Sequence, residues 1–253
     1  MFRHTAHLYD ALYEAAGKDY AQESADIHDL IEHRGPGART LLDVACGTGG
    51  HLQYLRRWYA VTGVDVDPGM LAEARAKLPT VSLIEADMRS LALGQTFDAA
   101  VCLFSSIGYM RSTDEMDVAI SAIARHLVPG GVLVVDGWVR PDAWINGGTT
   151  TVETAHTEDA TVVRVSRSVR DGERTSLEMH HLVATAAGIE HLVDHHDLTL
   201  FAPDDYEAAF RAAGLTVDIV PCPLPGRDRY VATKAPGDRP VSPAGPGAPP
   251  PHR

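Results

Sequence analysis

The chain has 253 residues, enough for one α/β domain with an insertion or for two small domains, each built on a real core. Hydrophobic residues at 45% and charged residues at 22% exclude a disordered chain, and no apolar run approaches the roughly 20 residues of a membrane span. A formal net charge of −12 with no local basic patch excludes nucleic acid from the expected partners, because an acidic surface repels a phosphate backbone.

The start of the chain, Met1-Phe2-Arg3-His4-Thr5, lacks the apolar core of a signal peptide, so the expected location is the cytoplasm. Cys46, Cys102 and Cys222 are odd in number and far apart, and form neither a metal-binding pair nor a disulfide framework. The 13 histidines include no HExxH spacing. His180-His181 and His195-His196 are neighbours in strand-like segments, where adjacent side chains point to opposite faces, and no metal is expected.

In chain order, residues 9–32 carry one helical pattern. Residues 41–45 (LLDVA) are a short apolar strand that runs into Cys46-Gly47-Thr48-Gly49-Gly50, and residues 51–59 return to helix periodicity. A second strand spans 61–66. Asp67-Pro68 then caps and opens a helix over 70–77. Strands follow at 81–86 and 97–104, with an amphipathic helix over 113–126. That helix is closed by Pro129-Gly130-Gly131 before a fifth strand at 132–135. His126, beside Arg125 at the helix end, reads as a surface residue. Near-continuous apolar strands alternating with helices predict an α/β fold, a doubly wound and mostly parallel sheet covered on both faces.

After Trp138 the pattern changes. Residues 160–170, 174–185 and 190–201 are β-rich and joined by Asp171-Gly172 and Ala186-Ala187-Gly188, which predicts an inserted antiparallel β-meander. A helix over 204–213 and strands at 215–220 and 229–233 lead back to the main sheet. The expected organisation is an α/β domain over 1–139, a meander over 140–201 that lids the site, and a return to the sheet over 202–235. A Pro/Gly-rich tail over 236–253 has little apolar content to bury.

The glycine turn after the first strand is shared by dinucleotide enzymes and methyltransferases, since both need backbone N–H groups close to a ligand. Three features favour the second. The turn lacks the third glycine of the pyrophosphate fingerprint. Asp43, inside the strand, would repel a pyrophosphate but suits a cationic amino-acid group. Asp65 ends the second strand, where a carboxylate can accept both ribose hydroxyls, and Asp87-Met88 follows the third strand at a place for adenine. Three acids at three successive strand tips stand where open α/β sheets bind ligands.

These motifs, with YDALY, GKDYAQES, FSSIGYM, RVSRSVRDG, LTLF and YEAAFRAAGL, resemble the class I S-adenosylmethionine-dependent methyltransferases. More narrowly, they resemble the N,N-dimethyltransferases of dTDP-linked amino sugars in macrolide (desosamine and mycaminose) biosynthesis. The resemblance implies a Rossmann-like fold, S-adenosyl-L-methionine as cofactor and a nucleotide-sugar substrate. It places Gly47 and Gly49 at the methionine portion and Tyr20 at the carboxylate end. Asp65 falls at the ribose, Asp87 and Met88 at the adenine, and Phe104 and Ser105 beside the reacting methyl, with Ala45, Cys46, Val66 and Met70 also at the cofactor. Ser105, Ser106 and Trp138 would meet the substrate, Arg227 its pyrophosphate, and Tyr109 the sugar amine. The family's Glu-Pro-Trp-Trp after strand five is here Asp136-Gly137-Trp138-Val139, and its Ser-Gly-Arg-Gly is Pro225-Gly226-Arg227-Asp228.

The amine must lose its proton to attack. Tyr109 and Asp136 are the residues expected to relay or receive it. Two alternatives stay open on sequence: an O-methyltransferase, which would need a stronger base such as a histidine in the pocket, and a catalytically silent cofactor-binding partner. The sequence also leaves open whether two copies pair as a homodimer.

Overall fold

A computed structural model describes residues 5–145 and 148–236, so most of the tail expected over 236–253 lies outside the described residues. Five parallel strands form the centre: β1 Thr40–Val44, β2 Ala60–Asp65, β3 Ser82–Glu85, β4 Phe97–Cys102 and β5 Leu127–Asp136. Two late strands, β10 Leu215–Pro221 and β11 Asp228–Lys234, complete a seven-stranded sheet in the order β10-β11-β5-β4-β1-β2-β3. β11 runs antiparallel to both neighbours.

The period-2 alternation of buried strands decides which helix covers which face. Leu41, Val101 and Val134 meet Ile27 and Ile31 of α2 Tyr20–Arg34 on one side. Leu42, Ala100 and Val135 meet Met116, Ile120 and Ile123 of α5 Thr113–Arg125 and Phe210 of α6 Pro203–Ala212 on the other. Two shorter helices, α3 Leu52–Leu55 and α4 Pro68–Lys77, follow the first two strands. The sheet order reverses direction between β1 and β4, and the tips of these two strands therefore splay apart and leave a crevice.

The insertion is a four-stranded antiparallel sheet: β6 Thr149–His156, β7 Ala160–Asp171, β8 Arg174–Thr185 and β9 Gly188–Thr199, paired in chain order. β6 precedes the three strands expected from sequence. Helix α1 Ala6–Ala15 buries Leu8 and Leu12 against Val162 and Val183 of this sheet. Its Asp10 reaches the other way, to Thr48 Oγ1 at 2.5 Å and to Lys77. α1 thus spans the opening between the insertion and the main sheet.

Several expectations are corrected. The single helix over 9–32 is two helices, because Gly17 takes φ +89° and Asp19 caps a new helix by accepting the Gln22 N–H. The helix expected over 51–59 keeps one regular turn. Pro129-Gly130-Gly131 is a bulge within β5, where the register with β4 shifts between Phe97 and Ala99. His126 is buried, with Nδ1 at 2.7 Å from the Ala122 carbonyl and Nε2 accepting the Leu93 N–H at 3.0 Å.

Asp136, at the end of β5, is 3% exposed and pairs with Arg229 of β11 at 2.6 Å. Its other oxygen accepts the Phe104 N–H at 3.0 Å, so one carboxylate ties three strand tips together. Arg229→Met would leave this carboxylate buried without a counter-charge, a loss of about 3–5 kcal/mol in denaturant unfolding. A loss under ~1 kcal/mol would show that the pair does not hold the strands.

Candidate active site

The crevice between the β1 and β4 tips opens into a cavity of about 850 Å³. All three non-glycine residues with positive φ among the described residues lie at these tips: Ala45 at 60°, Phe104 at 54° and Ser105 at 66°. Each such residue costs about 1–3 kcal/mol, a strain that clusters where a backbone is held for a ligand. Gly47, at φ +56°, continues the β1 turn and donates its N–H to Asp65 Oδ2 at 2.8 Å. Gly50 is needed for space, because a Cβ there would stand 2.6 Å from the Tyr20 ring.

The acids at the strand tips differ in their environment. Asp65 is buried, and each oxygen takes one backbone N–H, from Gly47 at 2.8 Å and Asp67 at 2.9 Å. This fixes its orientation and leaves further lone pairs toward the cavity. Asp43 is 2% exposed and lines the cavity, and no described residue donates a hydrogen bond to it. Burial, then the Asp65 charge, pushes its carboxyl well above the usual range. A buried acid without a partner is costly unless a cation or donor arrives to meet it. The Tyr20 hydroxyl, also buried, has no hydrogen-bond partner among the described residues. Asp87 also lines the cavity, but its oxygens are gripped by the Arg89 backbone and guanidinium, which hold its carboxyl below the usual range.

Of the residues expected at the cofactor, Tyr20, Asp43, Ala45, Cys46, Gly47, Asp65, Val66, Met70, Asp87, Met88 and Phe104 line this one cavity. Gly49 shapes the turn from behind it, at φ +78°. On the substrate side Ser106, Tyr109, Trp138 and Arg227 line it as well. Ser105 sits one layer back, where its hydroxyl donates to the Gly137 carbonyl at 2.6 Å and accepts from Arg227 Nη1 at 2.9 Å. The Arg227 guanidinium lies 4.4 Å over the Trp138 ring, whose indole N–H donates to Thr175 Oγ1 at 3.1 Å. Asp136 does not line the cavity. Both its oxygens are taken, so it stands as a brace for Phe104 instead of a free proton acceptor at the amine.

Sequence reasoning missed several cavity residues. Tyr9 and Tyr13 come from α1, with Tyr13 edge-on to Phe104 at 5.0 Å. Lys18 stands in the break between α1 and α2, its ammonium 4.0 Å over the Phe104 ring and 2.6 Å from Glu23. Burial alone would raise the Glu23 carboxyl, but His51 at 2.8 Å and Lys18 hold it down at about 2. His196 lies 2.8 Å from the Tyr109 hydroxyl. The signal for Lys18 was Gly17 followed by the capping Asp19, which marks a loop. For His196 it was the alternation of β9, which puts Asp194, His196 and Leu198 on the buried face. Arg164 is buried on the same side of the insertion, over Tyr13 at 4.7 Å, whereas Arg167 and Arg170 face solvent.

The family model "Methyltransferase domain" matches residues 41–131. The chain is 43% identical over 232 residues, 91% of its own length and 98% of the relative's, to the dTDP-3-amino-3,4,6-trideoxy-alpha-D-glucopyranose N,N-dimethyltransferase of Streptomyces venezuelae. It is 43% identical to the dTDP-3-amino-3,6-dideoxy-alpha-D-glucopyranose N,N-dimethyltransferase of Streptomyces fradiae, with 89% of each chain covered. Among solved structures, Streptomyces venezuelae DesVI superposes with a TM-score of 0.87 at 43% identity, over 91% of this chain and 98% of that one. CalS10 of Micromonospora echinaspora, an amino pentose methyltransferase solved with S-adenosylmethionine bound, gives 0.82 at 42% identity over 90% and 97%. The chain belongs to the S-adenosylmethionine-dependent methyltransferases, in the family of the dTDP-amino-sugar N,N-dimethyltransferases.

Proposed function

We propose that this protein transfers methyl groups from S-adenosyl-L-methionine to the amino group of a dTDP-linked deoxy amino sugar, two in succession, in the biosynthesis of a natural product. One observation carries the reading: a single cavity runs from Asp43 and Asp65 past Phe104 to Tyr109, Trp138 and Arg227. Cofactor-side and substrate-side groups therefore share one enclosure.

When bound, the cofactor supplies a methyl group already activated by its sulfonium. Asp65 would accept the ribose hydroxyls, and the unpartnered Asp43 and Tyr20 suit the charged amino-acid end. Met88 and Met70 offer apolar contact for the base. Arg227 presents a planar fork to a diphosphate, its orientation set by the Ser105 hydroxyl and the Trp138 face. Alignment of the reacting atoms contributes roughly 7–11 kcal/mol in such sites, more than one proton-transfer contact. An unperturbed alkyl amine is mostly protonated near neutral pH, with a pKa of roughly 10. Burial and the charges of Lys18 and Arg227, both lying against Phe104, favour its neutral, nucleophilic form.

A histidine in the pocket was the feature that would favour an O-methyltransferase, and His196 and His51 do line it. Both are buried and hydrogen-bonded to other protein groups, and burial pushes His196 down to about 4, weak for a base that must strip a hydroxyl. The relatives at 36–43% identity bear the name N,N-dimethyltransferase, and the N-methylation reading is preferred.

Two measurements test this reading. Asp65→Ala is expected to weaken cofactor binding at least tenfold by calorimetry, since it removes a preset acceptor of two hydroxyls; unchanged affinity would remove Asp65 from the site. Incubation with a panel of dTDP-linked amino sugars is expected to give a mass gain of two methyl units on at least one. In Arg227→Ala the KM for that sugar is expected to rise at least tenfold with cofactor affinity unchanged. A methylated hydroxyl product, or equal losses for both ligands, would contradict the assignment.

A further inference from the structure

The Tyr109 hydroxyl is a weak candidate for a base by itself, because burial pushes its pKa well above the ordinary phenol value. It stays a neutral phenol, and what it can do for an amine depends on where its single proton points. Pointed into the cavity, the O–H would donate to the amine lone pair and block the nucleophile. Pointed away, the oxygen would accept an amine N–H and leave that lone pair free for the methyl group.

One neighbour decides this. His196 Nδ1 lies 2.8 Å from the Tyr109 oxygen, on the buried face of β9 with 2% exposure, and both residues line the cavity. The groups near it include Leu177, its register partner on β8, Asp194 two residues earlier on the same face, with His181 of β8 3.9 Å from that carboxylate, and His195 on the opposite face. Burial holds the imidazole neutral, with a pKa near 4. Between a neutral phenol and a neutral imidazole, the favoured sense is O–H to nitrogen. The phenol is the better donor, and the imidazole sp² nitrogen is a much better acceptor than an oxygen conjugated with its ring. Donating that proton also makes the phenol oxygen a stronger acceptor for a second partner.

We infer that His196 is a positioning residue for methyl transfer: its Nδ1 accepts the hydrogen bond of the Tyr109 O–H, which leaves the phenol oxygen as an acceptor for the N–H of the substrate amine. The inference rests on the amine-methylating reading. It assigns no proton transfer to His196. The amine approaches neutral with its N–H hydrogen-bonded to Tyr109; as the new N–C bond forms the methyl–sulfur bond breaks, the sulfur leaves as a neutral thioether, and the resulting ammonium gives its extra proton to solvent. The same hold on Tyr109 serves the primary amine and the monomethylated amine, each of which still carries an N–H. A dimethylated amine has none, so this contact is lost once the second methyl is in place.

The direct test needs no variant. In ¹⁵N spectra of the histidines of the intact protein near neutral pH, His196 is expected to have an unprotonated, acceptor-type Nδ1 and a protonated Nε2. An Nδ1–H tautomer or a charged ring would overturn the inference, whatever the substrate proves to be. In kinetics with the amino sugar that the panel identifies, His196→Leu is expected to lower kcat roughly 10- to 100-fold with the cofactor KM unchanged. His196→Asn, whose amide oxygen replaces Nδ1 as acceptor, should recover most of that loss. On a Tyr109→Phe background His196→Leu should cause no further loss. A kcat within about twofold of the parent, absence of recovery in His196→Asn, or a full extra loss on the Tyr109→Phe background would each contradict the role. Failure of the panel with the expected tautomer present would instead count against the proposed substrate.

Discussion

The substrate half of the cavity hangs on the buried pair of Asp136 and Arg229. This carboxylate closes β5 onto β11 and receives the Phe104 N–H from the tip of β4. From that point the substrate-side residues radiate. Phe104 and Ser105 turn away at positive φ, Trp138 follows Asp136 by two positions, and Arg227 precedes Arg229 by two. Ser105 then links back to Gly137 and Arg227, so the strained turn is held by hydrogen bonds on both sides. A buried pair is a poor source of net stability but fixes geometry strictly, because its parts have nowhere else to go. Here that geometry is the placement of an arginine and two aromatic rings around one opening.

The cofactor half depends on a different device. At the tips of β1 and β2 the backbone N–H groups of Gly47 and Asp67 orient Asp65, while Asp43 is buried against the cavity and the Tyr20 hydroxyl has no hydrogen-bond partner among the described residues. Helix α1 joins the two through Asp10 to Thr48 and Lys77, through Arg164 over Tyr13, and through Thr5 to Asp194. The inserted sheet supplies His196, Leu198, Arg174 and Met179 to the cavity wall. An enclosure made by three separate parts of the chain excludes water from the reacting groups.

Much of this was legible in the sequence, and what was not has identifiable causes. The strands of the parallel sheet announce themselves because residues such as Leu41-Leu42 must be apolar on both faces. β6 escaped notice because Thr149-Thr150-Thr151 alternates with little apolar content, and Ala155 is its one fully buried side chain. The acids at the strand tips could be placed from their position in the chain, and all three line the one cavity. Asp136 was expected at the amine for the same reason, but its partner Arg229 lies 93 residues away, a distance no local pattern reports. His126 was expected at the surface because its neighbour is charged, yet it closes the helix end by bonding to Ala122 and Leu93. His196 was visible only as one of an adjacent pair, and its meaning came from Tyr109, 87 residues before it.

The central claim is that one enclosure brings an adenosyl sulfonium at the β1 and β2 tips to an amine held between Phe104, Tyr109 and Arg227. A crystal structure with S-adenosylhomocysteine and a dTDP-linked amino sugar tests this most directly. The account predicts the ribose on Asp65, the diphosphate on Arg227 and the amine nitrogen within hydrogen-bond reach of the Tyr109 oxygen, facing the sulfur past Phe104. A nucleotide sugar seated outside this cavity, or an amine turned away from Tyr109 and the sulfur, would contradict it.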